Sequence, residues 1–563
     1  MTLGPADLQI LISRLTGVAE EMGEVLRRGA SSPNIKERAD CSAALFTPAG
    51  ELVVQAEHIP VHLGSMPASV RAAIDAFGAD TLGPGEQVVL NDPYAGGTHL
   101  NDVTLVASCH AGGQLVGWVA NRAHHADLGG MVPGSIPPEA TEIHQEGLRI
   151  PPVRLTPDVA AILVASSRTP DERRGDLDAQ LGANAVGVAR LAAMAGAPLD
   201  EVTAYGERRM RATLAALPDG TWRFADVLDS FGPAPHQQHP VGVVVAVTVA
   251  GDEVTFDFTG SAPQQAGNVN AVEAVTVSAV AFALRSATDP TIPANGGAMR
   301  PVTVIAPSGT VVAARFPAAV GAGNVEVSQR VADVCLGALA QVVPGRVGAA
   351  GQGTMNNVLI GGHGWVYYET VGGGQGGRPT GAGQSGIHTA MTNTSQAATA
   401  QLGPGTPGMS GIHTCMTNTV DEGHRSPVGV PGQSGIHTNM TNTKNTPIEA
   451  LERTFPMRVL RQRLRRGSGG AGWSAGGEGI ERDLQVLVDA TVSLITERRV
   501  SQPWGLAGGE PGAVGENWLL PAGDESRAER LPDKCTIQLK AGDVLRMLTP
   551  GGGGWGRPGQ AGA

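Results

Sequence analysis

A chain of 563 residues is too long for one ordinary hydrophobic core and implies two to four packed modules. With 40 Lys plus Arg against 52 Asp plus Glu, its net charge of −12 excludes a surface built to neutralise nucleic-acid phosphates. The 79 glycines and 39 prolines make up about a fifth of the chain. That is below the roughly 25–30% of low-complexity disorder, so a globular, turn-rich chain is expected.

In chain order, Leu8, Leu11, Ile12, Leu15, Val18 and Met22 recur at helical spacing and predict an amphipathic helix at the N-terminus. SAALF and ELVVQ, separated by Pro48-Ala49-Gly50, read as a hairpin. Strands are expected at EQVVLNDPY, DVTLVASCH and LVGWVANRAHH, and one or two long helices between Pro157 and Leu217. VGVVVAVTVAGDEVTFDFTG then predicts a strand, a Gly251-Asp252 turn and a second strand, and AVEAVTVSAVAFALRSA a buried helix. Residues 345–445 are crowded with Gly, Thr, Asn and Ser, so loops should dominate there. The C-terminal part alternates apolar and polar residues between Gly-rich turns.

The expected fold class is therefore α+β, a multi-module chain with a β-rich C-terminal part. The expected modules are 1–217, carrying the candidate metal ligands, 218–344 of mixed α and β, the loop region 345–448, and 449–563. Cys41, Cys109, Cys335, Cys415 and Cys535 form no C-x-x-C pair, which suits a reduced, cytoplasmic setting. No signal peptide and no run of 18 apolar residues is present, so no membrane partner is expected.

One repeat interrupts the chain: SGIHTAMTNT (385–394), SGIHTCMTNT (410–419) and SGIHTNMTNT (434–443) differ only at the sixth residue. The units have almost no apolar face of their own, so a duplicated surface loop is favoured over a solenoid.

Seven of the fourteen histidines lie in the first 150 residues: His58, His62, His99, His110, His124, His125 and His144. NDPYAGGTHLND sets His99 three residues before Asp102, so a turn after Gly96-Gly97 points both the same way. AHHAD adds His124 at the end of an apolar strand. Two imidazoles and one carboxylate make a facial N,N,O site that suits one divalent ion, Zn, Mn or Fe. His125 should face the opposite side from His124. Asp127 shares the face of His125, where it would orient that ring or act as a base. Glu142 and Glu146, four apart, form one acidic face on a helix, for acid–base work or for solvation. Asp40, before a strand, is an active-site carboxylate or a turn residue.

The Gly-rich stretches lack the Lys-Ser/Thr of a phosphate loop, so no nucleotide site is expected in this chain. GWSAG at 472–476 matches a nucleophile elbow, but no apolar strand leads into Ser474, and a chance match in a Gly-rich turn is the better reading.

Taken in order, SPNIKERADCSAALF, IPVHLGSMP, NDPYAGGTHLNDV, AHHADLGGMVPGS, TEIHQEGLRIPP, GDLDAQLGAN, NTPIEALERTFP, SGGAGWSAGGEGIER and PGGGGWGRP resemble the hydantoinase B/oxoprolinase family from about Asn34 to Pro558. The resemblance implies a division of labour. A partner of the hydantoinase A type, an ATP-binding subunit, takes ATP with Mg and phosphorylates the substrate, while this chain supplies a metal and part of the substrate chamber, in a heterotetramer of two chains of each kind. By the pattern of the acetone carboxylase branch, His99, Asp102 and His124 hold the metal. The leading expectation is an ATP-dependent hydrolase of cyclic amides, of the hydantoinase or 5-oxoprolinase type. The second is a carboxylase acting on a ketone, and the third a non-catalytic scaffold for the ATP-binding subunit. The family pattern has one SGIHTxMTNT segment, so about 49 residues look duplicated, and His437 is the expected counterpart of the family histidine.

Overall fold

The computed structural model of the chain describes residues 3–57, 59–78, 82–83, 85–378, 437–441 and 443–559. Helices and four sheets alternate through them. The first two copies of the repeat lie outside the described residues.

The first sheet contains β1 (Cys41–Phe46), β2 (Leu52–Glu57), β3 (Gln87–Leu90), β4 (Asp102–Ala111), β5 (Gln114–His124) and β6 (Val153–Arg154), in the order β2-β1-β5-β4-β3-β6. Both its faces are covered. Ala43, Leu45, Cys109 and Val119 pack against Leu11, Leu15 and Met22 of the helix Pro5–Gly29. On the other face Ala44, Phe46, Val106 and Trp118 pack against Met66 and Val70 of the helix Ser65–Phe77. Because alternate residues point to opposite faces, β1 is buried at every position. Gly50 at φ 81° closes the β1–β2 hairpin, and Gly112-Gly113 at φ 58° and 79° close β4–β5. A two-residue turn with both φ values positive fits the strand twist and fixes the register. A bulge at Cys109/His110 then shifts the pairing by one residue, and that shift sets Asp102, the first residue of β4, opposite His124, the last of β5.

The helical stretch after Pro157 is three helices, Pro157–Ser166, Pro170–Ala192 and Leu199–Leu214, where one or two were expected. Pro170 starts the second, and Gly196 at φ 86° with Pro198 separates it from the third. A second sheet follows: β7 (Gly220–Leu228), β8 (Val241–Ala250), β9 (Glu253–Asp257) and β10 (Val302–Ile305), in the order β10-β9-β8-β7. Along β8 the alternate residues Val241, Val243, Val245, Val247 and Val249 are buried. The helix Ser328–Val342 packs on β7 and β8 and against the helix Glu273–Ala287.

Where loops were expected to dominate, two segments are strands, β11 (Asn357–Gly362) and β12 (Trp365–Thr370). They pair in a third sheet with β15 (Ala490–Ile495) and β18 (Lys534–Leu539), so residues 357–370 pack with the C-terminal part. The fourth sheet, β13 (Met457–Arg465), β14 (Gly479–Val486), β16 (Glu516–Leu520), β17 (Glu529–Leu531) and β19 (Val544–Leu548), completes that β-rich end. The largest apolar core runs without a break from Ile59 through Val243, Phe282 and Val331 to Ile495. Residues of several expected modules thus share one interior.

The run Gly551–Gly554 threads a bundle of extended segments. Its amides donate to the carbonyls of Ala513, Gly477, Ala350 and Glu510, and Gly552, Gly553 and Gly554 accept from Gly470, Gly377 and Leu506. A Cβ on Gly552 would stand 2.1 Å from the Gln375 carbonyl oxygen, so only glycine fits. Ser474 lies in the same mesh, exchanging backbone bonds with Trp555 at 2.8 and 2.9 Å, with no strand leading into it.

Candidate metal centre

Three elements meet at one point. Gly97, where a Cβ would stand 2.7 Å from the carbonyl oxygens of Asn91 and Asp92, lets the chain turn tightly. The turn closes through the Asp102 amide, which donates to the His99 carbonyl at 3.1 Å. β4 starts there, and its pairing brings His124 across. His99 Nε2 lies 3.1 Å from Asp102 Oδ1, His124 Nδ1 lies 3.3 Å from the same oxygen, and the two ring nitrogens are 3.2 Å apart.

Ligands about 2.1 Å from a common ion stand about 3.0 Å apart in octahedral geometry and about 3.4 Å in tetrahedral geometry, so the spacing fits a divalent cation. Asp102 Oδ1 is buried with no hydrogen-bond partner among the described residues, and two imidazole nitrogens face it. A positive centre shared by the three atoms resolves that convergence. Within the described residues this is the single His/Cys/Asp/Glu group whose ligand atoms come together in this way.

The second oxygen of Asp102 is held from three directions. Thr98 Oγ1 donates to Oδ2 at 2.5 Å, Asn324 Nδ2 at 3.2 Å, and His62 Nε2 lies 3.5 Å away with its Nδ1 against Ser42 Oγ. These contacts turn Oδ1 towards the two histidines. Asn324 sits on a single π-helical turn, Gly323–Val327, whose first residue packs on the Asn270 carbonyl too closely for a side chain. His99 Nδ1 faces the Gly321 carbonyl at 3.3 Å, which favours the proton on Nδ1 and the lone pair on Nε2. Behind the site Tyr368 stacks on His124 with centroids 4.8 Å apart, and Arg38 lies 4.8 Å over the Tyr368 ring.

Burial works against charge on all these groups, and the ion pairs answer it unevenly. Asp102 stays well below the usual carboxylate range despite its burial, because His99, His124 and His62 surround it. Burial pushes His124 down to about 3, and it outweighs Asp102 at His62, which is also lowered. At His99 the attraction of Asp102 overcomes burial and raises the pKa.

The remaining sequence candidates fall in different places. Asp40 lies beside the cluster: its carbonyl accepts from the His124 amide at 3.0 Å, and burial pushes its carboxyl up to about 7, against the pull of Arg38. His125 points the other way, to Gln180 Oε1 at 2.9 Å. Asp127 is not brought to His125. Its oxygens accept from the Gly129, Gly134 and Arg168 amides and from the Arg168 guanidinium at 2.9 Å, so it ties a loop together. Glu142 and Glu146 do not share a helical face, because only the single 3-10 turn Ile143–Gln145 separates them. Glu142 is exposed, whereas Glu146 is fully buried and accepts from Val320 and Gly321 at 3.2 and 2.8 Å. It fixes the loop whose carbonyl faces His99 and does not join the triad.

Thr98 and Asn324 were not among the expected residues. Thr98 stands inside the GGTHLND motif, but nothing local marks Asn324, 222 residues from Asp102. Of the repeat, His437–Thr441 and Thr443 of the third copy are described and buried. Cys41, Cys109, Cys335 and Cys535 are free and buried. Among the described residues no helix is long and apolar enough to cross a membrane.

The sequence model of the hydantoinase B/oxoprolinase family matches residues 4–399 and 416–558. An uncharacterised protein of Methanocaldococcus jannaschii is 36% identical over 98% of this chain and 90% of its own length. The 5-oxoprolinase 1 of Arabidopsis thaliana is 34% identical over 98% of this chain, which spans only 41% of that protein. A chain of a Pseudomonas species, named as the B-type component of a D-/L-hydantoinase, is 29% identical over 99% of this chain and 90% of its own. Among solved structures, the ATP-dependent caprolactamase of Pseudomonas jessenii superposes with a TM-score of 0.82 at 26% identity, covering 99% of this chain and 92% of that one. Acetone carboxylase shares the fold, with a TM-score of 0.81 at 17% identity over 98% of this chain and 76% of the other.

Proposed function

The chain belongs to the hydantoinase B/oxoprolinase family, and we propose that it is the ring-opening, metal-holding part of an ATP-dependent cyclic amide hydrolase that works with a separate ATP-binding subunit. The observation that carries this reading is the convergence of His99 Nε2, Asp102 Oδ1 and His124 Nδ1 in a buried, braced site. The partner is supported by two facts together: the Pseudomonas relative is named as one component of a hydantoinase, and the chain spans about two fifths of the Arabidopsis 5-oxoprolinase. Cyclic amide substrates are supported by the names of the 5-oxoprolinase, the hydantoinase component and the caprolactamase.

Amide resonance and a poor nitrogen leaving group make ring opening slow. Phosphorylation of the amide oxygen by the partner would give a carbon that water attacks far more readily. His99, Asp102 and His124 would hold one Zn, Mn or Fe ion, which when bound polarises an electrophile or lowers the pKa of water. The chain's own groups set the stage for that attack. Thr98, Asn324 and His62 fix the Asp102 carboxylate, and Gly321 fixes the His99 tautomer. With Nδ1 of His124 turned to the triad, its buried Nε2 has no partner among the described residues and would donate to bound substrate. Asp40, whose backbone carbonyl accepts from the His124 amide, is the carboxylate we assign to take the proton of the attacking water. Glu146 positions the 320–321 loop, and Asp127 the 129–134 loop.

The test uses the purified chain and a co-expressed ATP-binding partner. Elemental analysis should find one equivalent of metal in wild type and none in His99→Ala/Asp102→Ala. The pair should open hydantoin, oxoproline or caprolactam rings with ATP and without bicarbonate. A strict need for bicarbonate would transfer the chain to the carboxylases. Full activity of the complex with His99→Ala would make it a scaffold.

A further inference from the structure

NIKERAD sets one arginine, Arg38, between the short helix Pro33–Lys36 and β1. Its side chain is fully buried, and an interior guanidinium is costly unless each of its N–H groups is met. Nε donates to the Lys444 carbonyl at 3.3 Å, Nη1 to Asn34 Oδ1 at 2.5 Å and to the Tyr368 carbonyl at 2.8 Å, and Nη2 to Thr370 Oγ1 at 3.0 Å and Thr443 Oγ1 at 3.3 Å. All these acceptors are uncharged. Among the described residues no carboxylate bonds to this cation, so its reach in several directions, and not an ion pair, accounts for its place.

Two of the contacts lead to His124. The pairing of β1 with β5 ends at Cys41 opposite Ala123, so His124 lies one residue beyond the last pair on that side. Asn34 Nδ2 stands in for the missing strand and donates to the His124 carbonyl at 2.9 Å, while the His124 amide donates to the Asp40 carbonyl at 3.0 Å. Ala39, between Arg38 and Asp40, has φ 56°, a left-handed conformation that a Cβ disfavours and that the bonds on either side must impose. The second route runs through Tyr368. Its ring lies at 16° to the His124 ring with centroids 4.8 Å apart, and Arg38 covers it. Its hydroxyl donates to Asn357 Oδ1 at 2.8 Å, and Asn357 Nδ2 donates to Glu326 Oε1 at 2.8 Å. Glu326 stands on the π-turn that carries Asn324, the brace of Asp102.

We propose, on the reading that His99, Asp102 and His124 hold a metal ion, that Arg38 is a positioning residue of that centre. Through Asn34 it fixes the main chain of His124, and through Tyr368 the plane of its ring, so that Nδ1 meets the ion at a set angle. A planar fork of fixed donors does this, and an ammonium on a flexible stem does not. Lysine at position 38 would keep the charge and release Asn34, Tyr368 or both.

Cobalt(II) is the probe, because its visible absorption follows the arrangement of its ligands. The purified full chain, stripped of metal, is titrated with cobalt(II) in competition with a chromogenic chelator. Arg38→Lys should bind about 10–100-fold more weakly than wild type, and at saturation its visible bands should differ from those of wild type. A chain that is merely less stable would show wild-type bands once saturated, and that result would overturn the proposal. So would wild-type affinity in Arg38→Lys. Adding Asn34→Ala to Arg38→Lys should weaken binding by less than Asn34→Ala does alone, as expected of two groups acting in series, and full additivity would overturn the proposal. Should Arg38→Lys fail to fold, Asn34→Ala and Tyr368→Leu test the two routes separately. Each should shift the bands at saturation, and wild-type bands in both would overturn the proposal. A wild-type chain that binds no cobalt would refute the metal reading and this one with it, whereas tight wild-type binding left unchanged by Arg38→Lys would refute this one alone.

Discussion

Replacing Thr98 by valine removes a single hydroxyl from a side chain that is completely buried and keeps nearly the same shape. The lost contact is the shortest one made to the second oxygen of Asp102, 2.5 Å against 3.2 Å from Asn324 and 3.5 Å from His62. A hydrogen bond to a charged acceptor contributes roughly 1.5–3 kcal/mol, and loss of a partner behind a metal ligand lowers affinity by about 10–100-fold. Thr98→Val should therefore bind Mn or Zn about 10–100-fold more weakly in competition with a chromogenic chelator. Asn324→Ala, which loses the longer contact, should fall at or below the lower end of that range. Both should melt as cooperatively as wild type once metal is removed. Wild-type affinity in Thr98→Val, or the total metal loss expected of His99→Ala, would refute the view that Asp102 is oriented through Oδ2.

Other consequences are independent of the chemistry. Gly374→Ala would place a Cβ 2.0 Å from the Gly477 carbonyl oxygen and 2.2 Å from the Gly552 amide, and should lower the melting temperature sharply or prevent folding. Gly17→Ala, on the helix Pro5–Gly29 with nothing near the added carbon, should raise it by the equivalent of about 0.5–1 kcal/mol. Glu146 gives a pH test. Burial raises its pKa to about 7 in the folded chain, against the pull of the Gly321 and Val320 amides. Between the ordinary Glu value and about 7 the native state thus binds more protons than the unfolded state, so its share of stability is complete at low pH and is lost as pH rises to about 7. Denaturant titrations from about pH 5 to 7.5 should show Glu146→Gln losing less stability across that window than wild type, by up to about 3 kcal/mol. An identical slope in both proteins would count against the assignment.

The triad was readable because each of its two motifs is short and compact in ligand types, and because an apolar strand ending in histidine implies a neighbouring strand to receive it. Thr98, inside one of those motifs, was still not separable from an ordinary turn residue, since its role depends on which Asp102 oxygen it meets. Asn324 reaches the site through a π-turn 222 residues away, and no local period carries such a placement. Asp127 and Glu146 show the converse. Their carboxylates lie in motifs rich in functional residue types, yet their oxygens are occupied by loop amides, which spacing does not show. Pro170 and Gly196-Pro198 break the helices where only one or two were expected, and the strands at 357–370 fall in a stretch expected to be loops. Their pairing with residues 490–539 was not legible either, because a partner strand is chosen by the interior that both must cover.

The glycine mesh makes several distant segments depend on one four-residue run. Gly551–Gly554 takes its partners from segments around residues 350, 377, 470, 477, 506, 510 and 513. Removing that run would leave those amides and carbonyls without their partners. A chain cut before Pro550 should therefore be cleaved by protease within the β-rich end, where the intact chain resists.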